Sequence, residues 1–187
     1  MNNTKRIKQR QEREFFAHHM LLHVAHLELE TAKSTEIGRF NHCLVAMTFS
    51  ALAIEALANA VGSRSVDAWS DFETCSPLAK VRLLAERLGI QYESTKKPWA
   101  TLRYLIRFRN AIAHAKPERI LEERVMREAE YNAQLFRKPP SKMEREITLS
   151  NAKGCFEAVH NLKGLFTDAL PVEKRFGIYV DAWSGGS

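Results

Sequence analysis

The sequence lacks the features of an exported or disulfide-linked protein. Its three cysteines, Cys43, Cys75 and Cys155, are odd in number, far apart and outside any CxxC or CxxH arrangement, which argues against a disulfide framework and a zinc site. The N-terminal run MNNTKRIKQRQERE has no apolar core and no small-residue cleavage site, so it is not expected to be a secretory signal. These absences together predict a reduced, cytoplasmic location.

Motifs for several common chemistries are also missing. The chain has no phosphate-binding glycine loop, no nucleophile elbow and no paired-carboxylate pattern, which leaves nucleotide hydrolases and acyl transferases without support. On the first predicted helix His19, His23, His26 and Glu30 share a face, but metal sites usually gather ligands from more than one element. We therefore expect a solvated or half-buried face there, with no metal and no cofactor.

A convincing strand pattern is absent, because apolar residues recur at helical spacing instead of alternating with polar ones. Helices are predicted over 5–33, 40–61, 77–88, from Pro98 to before Pro117, over 118–136, and from near Ser150 to before Pro171. The end of the chain, 176–183, is expected to form a short strand or an irregular segment. We predict an all-α fold, an antiparallel bundle of five or six helices, as one domain over 1–183 with a flexible tail at 184–187.

One apolar stretch needs a membrane check. Cys43 to Val61 is 19 residues long and mostly apolar, which is close to the length of a membrane span. Glu55 and Asn59 interrupt its second half, and an acid at the centre of a bilayer costs roughly 2.5–3.5 kcal/mol. We therefore interpret the stretch as a central core helix and expect no membrane association.

Acidic residues are absent between Ser94 and Pro117, and this absence locates the positive charge of the chain. The segment carries six basic residues: Lys96, Lys97, Arg103, Arg107, Arg109 and Lys116. The rest of the chain balances, with 22 Lys and Arg against 22 Asp and Glu, so the formal excess of +6 lies here. Such a local field suits an anionic partner, with polyphosphate or nucleic acid as the candidates.

The helix predicted from Pro98 has two faces when its residues are placed at about 100° intervals. Its polar stripe consists of Arg103, Arg107, Asn110 and His114, at steps of four, three and four residues. The opposite arc, predicted to face the core, consists of Leu102, Leu105, Ile106, Ile112 and Ala113, with Arg109 in its middle. The aromatic residues of this helix, Trp99, Tyr104 and Phe108, are expected in the core or in a dimer interface rather than stacked on bases.

A guanidinium that points into a core needs an acidic partner, because an unmatched buried charge loses its hydration. Glu55 is the only charged residue between Asn41 and Gly62, so we predict that it pairs with Arg109 and that Asn59, one turn further on, joins them. Two interpretations of this group stay open. It is either an ion pair that only holds two helices together, or part of a functional site.

A family resemblance favours the second interpretation. RNAIAH at 109–114 resembles the RNxxxH form of the RxxxxH motif of the HEPN superfamily (higher eukaryotes and prokaryotes nucleotide-binding). The preceding segments FSALAIEALANAVG and SPLAKVRLLAERLGI resemble the helix order of bacterial members of that superfamily. The resemblance covers about residues 40–117, a little over a third of the chain.

The resemblance implies a helical bundle, usually a homodimer, that often acts as a metal-independent ribonuclease in defence or toxin systems. An antitoxin or regulatory protein is then a further partner. In active members the Arg and His motifs of two protomers converge on a shared cleft. Carried over, Arg109, Asn110 and His114 form the catalytic group and Glu55 is an orienting acid. The remaining basic residues of the segment, Arg103, Lys96, Lys97 and Lys116, are expected to contact RNA.

Two alternatives accompany this hypothesis. The superfamily motif tolerates longer spacings between arginine and histidine, so Arg107 also matches it. The position of Arg107 on the polar stripe with His114 favours Arg107, whereas the asparagine that follows Arg109 favours Arg109. We choose Arg109. The second alternative is a non-catalytic HEPN-like module that binds RNA, nucleotide or a partner protein.

The chemistry explains why these residue types are needed. RNA cleavage without a metal requires a group with a near-neutral pKa to move a proton at the ribose 2′-hydroxyl or the leaving 5′-oxygen, and histidine has one. Arginine supplies a permanent charge for the crowded phosphate of the transition state. Because the nucleophile is the substrate's own hydroxyl, the product would end in a 2′,3′-cyclic phosphate.

Overall fold

The computed structural model describes residues 14–134 and 137–180. These residues form seven α-helices and two short 3₁₀ helices, with no strand among them. The α-helices are α1 (Ala17–Ser34), α2 (Arg39–Ser65), α3 (Pro77–Arg87), α4 (Trp99–Ala113), α5 (Glu128–Ala133), α6 (Lys142–Glu146) and α7 (Leu149–Ala169). The 3₁₀ helices are Trp69–Phe72 and Val172–Lys174. The predicted all-α class is confirmed, although the described part of the chain contains more helices than the five or six expected.

Helix α2 is the centre of the bundle and packs against α1, α3, α4 and α7. Its inward positions are fully buried small and aliphatic side chains, among them Ala46, Met47, Ile54, Leu57 and Val61. By length and composition α2 would also qualify as a membrane span, but half of its most apolar window is buried inside the bundle. Its packing agrees with the predicted core helix.

Local sequence accounts for most helix ends. Arg39 donates from Nε to the carbonyl oxygens of Ala32 and Thr35, both at 3.0 Å, which satisfies carbonyls at the end of α1. Ser76 caps α3 by accepting from the Ala79 backbone N–H at 3.3 Å, as its place before Pro77 predicts. Gly89, at φ +67°, ends that helix in the left-handed conformation that glycine adopts most easily.

The second helix, predicted over 40–61, continues to Ser65. Gly62 lies inside the helix, and the Trp69 indole packs against it at the position where any other residue at 62 would carry a Cβ. Glycine is used here for the close approach of a side chain, and the helix ends three residues later.

The helix predicted over 118–136 is also wrong for most of its length. Residues 115–127 form no helix, and α5 covers only Glu128–Ala133; residues 135 and 136 lie outside the described part. Leu121 and Val125 are exposed, so this segment has no apolar face buried against the bundle. Helical propensity alone rarely holds a helix without such packing.

The start of α1 and the end of the chain are coupled. The helix predicted from Lys5 begins at Ala17 among the described residues, after an extended Phe16, and residues 5–13 lie outside that part. His19 donates from Nε2 to the Gly177 carbonyl oxygen at 2.8 Å. The segment after α7 therefore packs back on α1 as turns, not as a strand; residues 181–183 and the predicted tail lie outside the described part.

The Gly62 contact gives a stability prediction. In Gly62→Ala the new Cβ would lie 2.2 Å from the nearest Trp69 ring atom. Overpacking of this kind costs about 1–3 kcal/mol and outweighs the helix-propensity gain of about 0.5–1 kcal/mol. The free energy of unfolding, measured by urea denaturation, should fall by about 1–2 kcal/mol.

Gly154→Ala is the matched control, because Gly154 lies within α7 and a Cβ there would meet nothing within 4 Å. This variant should gain about 0.5–1 kcal/mol. Equal effects of the two substitutions would contradict the packing argument.

Candidate active site

The two predicted faces of α4 are present. Its buried residues are Trp99, Leu102, Leu105 and Phe108, which pack on the core. The polar stripe is oriented outward: Arg107, Asn110 and His114 are exposed, and Arg103 is half-buried. No residue of α4 after Phe108 is fully buried, and in the last turn Ile112 alone packs partly against the core.

Two predictions for α4 are wrong. Ala113, expected to face the core, is exposed, whereas Ile106 and Ile112 are half-buried and pack against the core as predicted. Arg109 lies on the core side of the helix but its side chain is 36% exposed, so the predicted buried guanidinium is wrong. The charge sits at the edge of the bundle, where water still reaches it.

The guanidinium of Arg109 has two partners among the described residues. Its Nη1 donates to the Asn110 side-chain oxygen at 2.9 Å. Its Nη2 lies 3.9 Å from Glu55 Oε2, so the predicted Glu55–Arg109 pair is present at the long end of ion-pair distance. The arginine thus reaches from the core side of α4 towards the polar stripe.

Lys80, a residue that sequence reasoning missed, is the closer partner of Glu55. The Lys80 Nζ donates to Glu55 Oε1 at 3.2 Å, and the lysine side chain is only 2% exposed. The sequence did contain an indication, since Lys80 precedes Val81 and lies one turn before Leu84, on the apolar side of α3. Glu55, itself 34% exposed, therefore joins α2 to both α3 and α4.

Asn59 does not join this group. Its side-chain oxygen is buried and has no hydrogen-bond partner within the described residues. The predicted contact of Asn59 with Glu55 or Arg109 is therefore wrong.

His114 ends α4. Its backbone N–H donates to the Asn110 carbonyl oxygen at 3.0 Å, and the side chain is exposed. The helix is continuous to Ala113, so Arg109 and His114 stay about 140° apart around its axis. Over the described residues no hydrogen bond or ion pair joins His114 to either arginine, whereas Arg109 and Asn110 are brought together.

The other predicted RNA-contacting residues do not gather at this turn, because Lys96 and Lys97 precede α4, Arg103 lies in its first half, and only Lys116 follows His114. Lys97 and Lys116 are exposed, and Lys96 lies 2.7 Å from the carboxylate of Glu93, just outside the acid-free segment. Arg103 Nε is buried without a partner in the described part of the chain. Arg107 lines a separate cleft, so the two candidate arginines face different sides of α4.

The histidine face of α1 is divided between several contacts. His19 is buried and bonded to Gly177, whereas His26 is exposed, with Nδ1 3.8 Å from Glu30. The described residues contain no group of three His, Cys, Asp or Glu side chains placed to hold a metal ion.

Burial raises the pKa of the Cys155 thiol to about 12, which keeps it protonated and unreactive.

No family model, no curated protein and no solved structure matches this chain significantly. Over its described residues the protein is all-helical, with a basic, exposed helix end at the close of α4.

The Glu55–Lys80 pair gives a second stability prediction. Glu55→Gln leaves the buried Lys80 ammonium without its carboxylate and should cost about 2 kcal/mol, below the roughly 3–5 kcal/mol of a fully buried pair because Glu55 is partly exposed. Lys80→Met removes the buried charge itself and should cost about 1 kcal/mol or less. Urea denaturation of both single variants and the double variant measures these values.

Glu157→Gln is the control, since its partner Lys153 is 3.8 Å away and both side chains are more than half exposed. It should change stability by less than about 0.5 kcal/mol. The account of the buried ammonium is wrong if Lys80→Met proves more damaging than Glu55→Gln.

Proposed function

We propose that the protein is a HEPN-like, metal-independent endoribonuclease with Arg109, Asn110 and His114 as its catalytic group. One observation carries the proposal: the Arg109 guanidinium is held by Asn110 and Glu55 on an exposed helix end that finishes at His114. A positioned arginine and an accessible histidine are the two groups that phosphate chemistry without a metal requires.

Each group has a defined task in the reaction. His114 takes the proton from the ribose 2′-hydroxyl, or gives one to the departing 5′-oxygen. The 2′-oxygen then forms a bond to phosphorus as the bond from phosphorus to the 5′-oxygen breaks. Arg109 neutralises the negative charge that develops on the phosphate, and Asn110 holds the guanidinium in place. The product carries a 2′,3′-cyclic phosphate and a free 5′-hydroxyl.

The local charge also favours this task. One carboxylate, Glu55, faces two cations, Lys80 and Arg109, so a net positive charge remains at the helix end. Lys116 is exposed two residues after His114 and extends the positive field for an RNA backbone.

A second copy of the chain would complete the site. Within one chain Arg109 is bonded to Asn110 and not to His114. A homodimer would bring the two helix ends together, so that the arginine of one protomer acts with the histidine of its partner. A toxin or phage-defence role, with an antitoxin or regulatory protein, is consistent with such an enzyme.

The absence of a contact between Arg109 and His114 within one chain also favours the alternative. This is a non-catalytic HEPN-like module that binds RNA, nucleotide or a partner protein. In that case the group around Glu55 serves only to join α2, α3 and α4. Activity measurements on the variants below separate the two.

Cleavage of mixed cellular RNA in excess EDTA tests the proposal. The wild-type protein should cleave, and His114→Ala and Arg109→Ala should each lose about 100-fold or more, the typical worth of acid–base and charge catalysis. Gel analysis of the RNA measures the rates, and sedimentation of each protein measures whether it is a dimer.

His23→Ala and Arg87→Ala are matched controls, because both residues are exposed on other helices, and both should remain active. Intact RNA with the wild type across several substrates would rule out the enzyme. Loss in Arg107→Ala but not in Arg109→Ala would move the catalytic arginine, and cleavage by a strict monomer would contradict the shared site.

A further inference from the structure

A cleft of about 460 Å³ opens on the other side of α4 from Glu55. Its walls come from α4 (Tyr104, Arg107, Phe108), from α6 (Lys142, Glu146) and from Glu118 in the irregular segment between α4 and α5. The volume is within the range of about 300–1,000 Å³ that small-molecule sites occupy. The catalytic group proposed above uses none of these residues.

The cleft combines an aromatic wall with charges of both signs. The Tyr104 and Phe108 rings stack with centroids 6.3 Å apart and planes at 27°. Burial and the nearby Glu146 carboxylate raise the pKa of Tyr104, so its phenol stays neutral. The tyrosine hydroxyl is buried and Phe108 is only 4% exposed, so of the two rings only that of the half-buried Tyr104 is open to an occupant. Two cations, Arg107 and Lys142, and two carboxylates, Glu118 and Glu146, surround this wall.

These features match a nucleobase that presents N–H donors. Aromatic side chains stack on any base at about 1–3 kcal/mol each. Carboxylates only accept hydrogen bonds, so Glu118 and Glu146 favour a base edge with adjacent donors. Guanine offers two, at N1 and N2, whereas adenine would place its N1 acceptor against a carboxylate. Arginine in addition suits the O6 and N7 acceptors of guanine.

We propose that this cleft holds a guanine base of the RNA, beside the bond that His114 cleaves; the inference rests on the ribonuclease function proposed above. The position supports it, because Ala111, which also lines the cleft, lies three residues before His114, about 4.5 Å along the helix axis. Arg107 belongs both to the cleft and to the polar stripe that ends at His114. The enzyme would then cleave next to guanosine.

Binding of short labelled RNAs tests this inference without cleavage. The His114→Ala protein, which keeps the cleft, is titrated with oligouridylates that carry one central guanosine, adenosine or cytidine, and fluorescence anisotropy is measured. The guanosine RNA should bind roughly tenfold tighter than the others. Glu146→Gln, added to this protein, should reduce that preference to about twofold or less.

Two further variants show whether a lost guanosine preference comes from the missing carboxylate or from misfolding. Glu118→Gln changes an exposed residue outside any helix and should weaken the guanosine preference in the same direction. Glu157→Gln, exposed on α7, should preserve it. Equal binding of all bases, preference for another base, or a preference that survives both carboxylate changes would overturn the inference.

The two proposals fail in different ways. A guanosine preference that depends on Glu146, in a protein whose wild type leaves RNA intact, supports the cleft and contradicts the ribonuclease. Cleavage in EDTA without any base preference supports the ribonuclease and contradicts the cleft. Absence of all RNA binding contradicts both.

Discussion

The Lys80 ammonium is almost completely buried, and its need for a counter-charge determines how three helices meet. Glu55 is the one acid that α2 offers in its apolar length, so α3 must bring Lys80 to it. The second carboxylate oxygen then faces Arg109 at 3.9 Å, which positions the end of α4. The Glu55 carboxylate that pairs with the buried Lys80 is thus also the carboxylate that faces the candidate catalytic arginine.

The exposure of the candidate site follows from where the core stops. Full burial on α4 ends at Phe108, and the following turn packs on the core only through the half-buried Ile112, with Asn110 and His114 exposed on its outer face. Arg109 lies at this border, held from the core side by Glu55 and from the solvent side by Asn110. The cleft lined by Arg107 lies on the opposite side of the same helix, which makes α4 the element shared by both proposed sites.

Local sequence predicts much of this arrangement. The amphipathic pattern of α4, the Ser76-Pro77 helix start and the scarcity of acids on α2 were enough to anticipate the helix faces and the Glu55–Arg109 pair. Tertiary packing decided the rest. Gly62 serves the close packing of Trp69 inside α2, the lack of a core face leaves 115–127 without a helix, and the buried Lys80 depends on how α3 lies against α2. A helical wheel shows which face of a helix is apolar, but it cannot show where along the helix the core ends. For that reason the wheel predicts a buried Arg109.

The central claim is that the helix end catalyses attack by the substrate's own 2′-hydroxyl. The most direct measurement is mass spectrometry of the ends formed when the wild-type protein is incubated in EDTA with an RNA and with the same sequence carrying 2′-O-methyl groups. We predict 2′,3′-cyclic phosphate and 5′-hydroxyl ends from the RNA and no cleavage of the methylated strand. Cleavage of the methylated strand, or products with 5′-phosphate ends, would contradict the account.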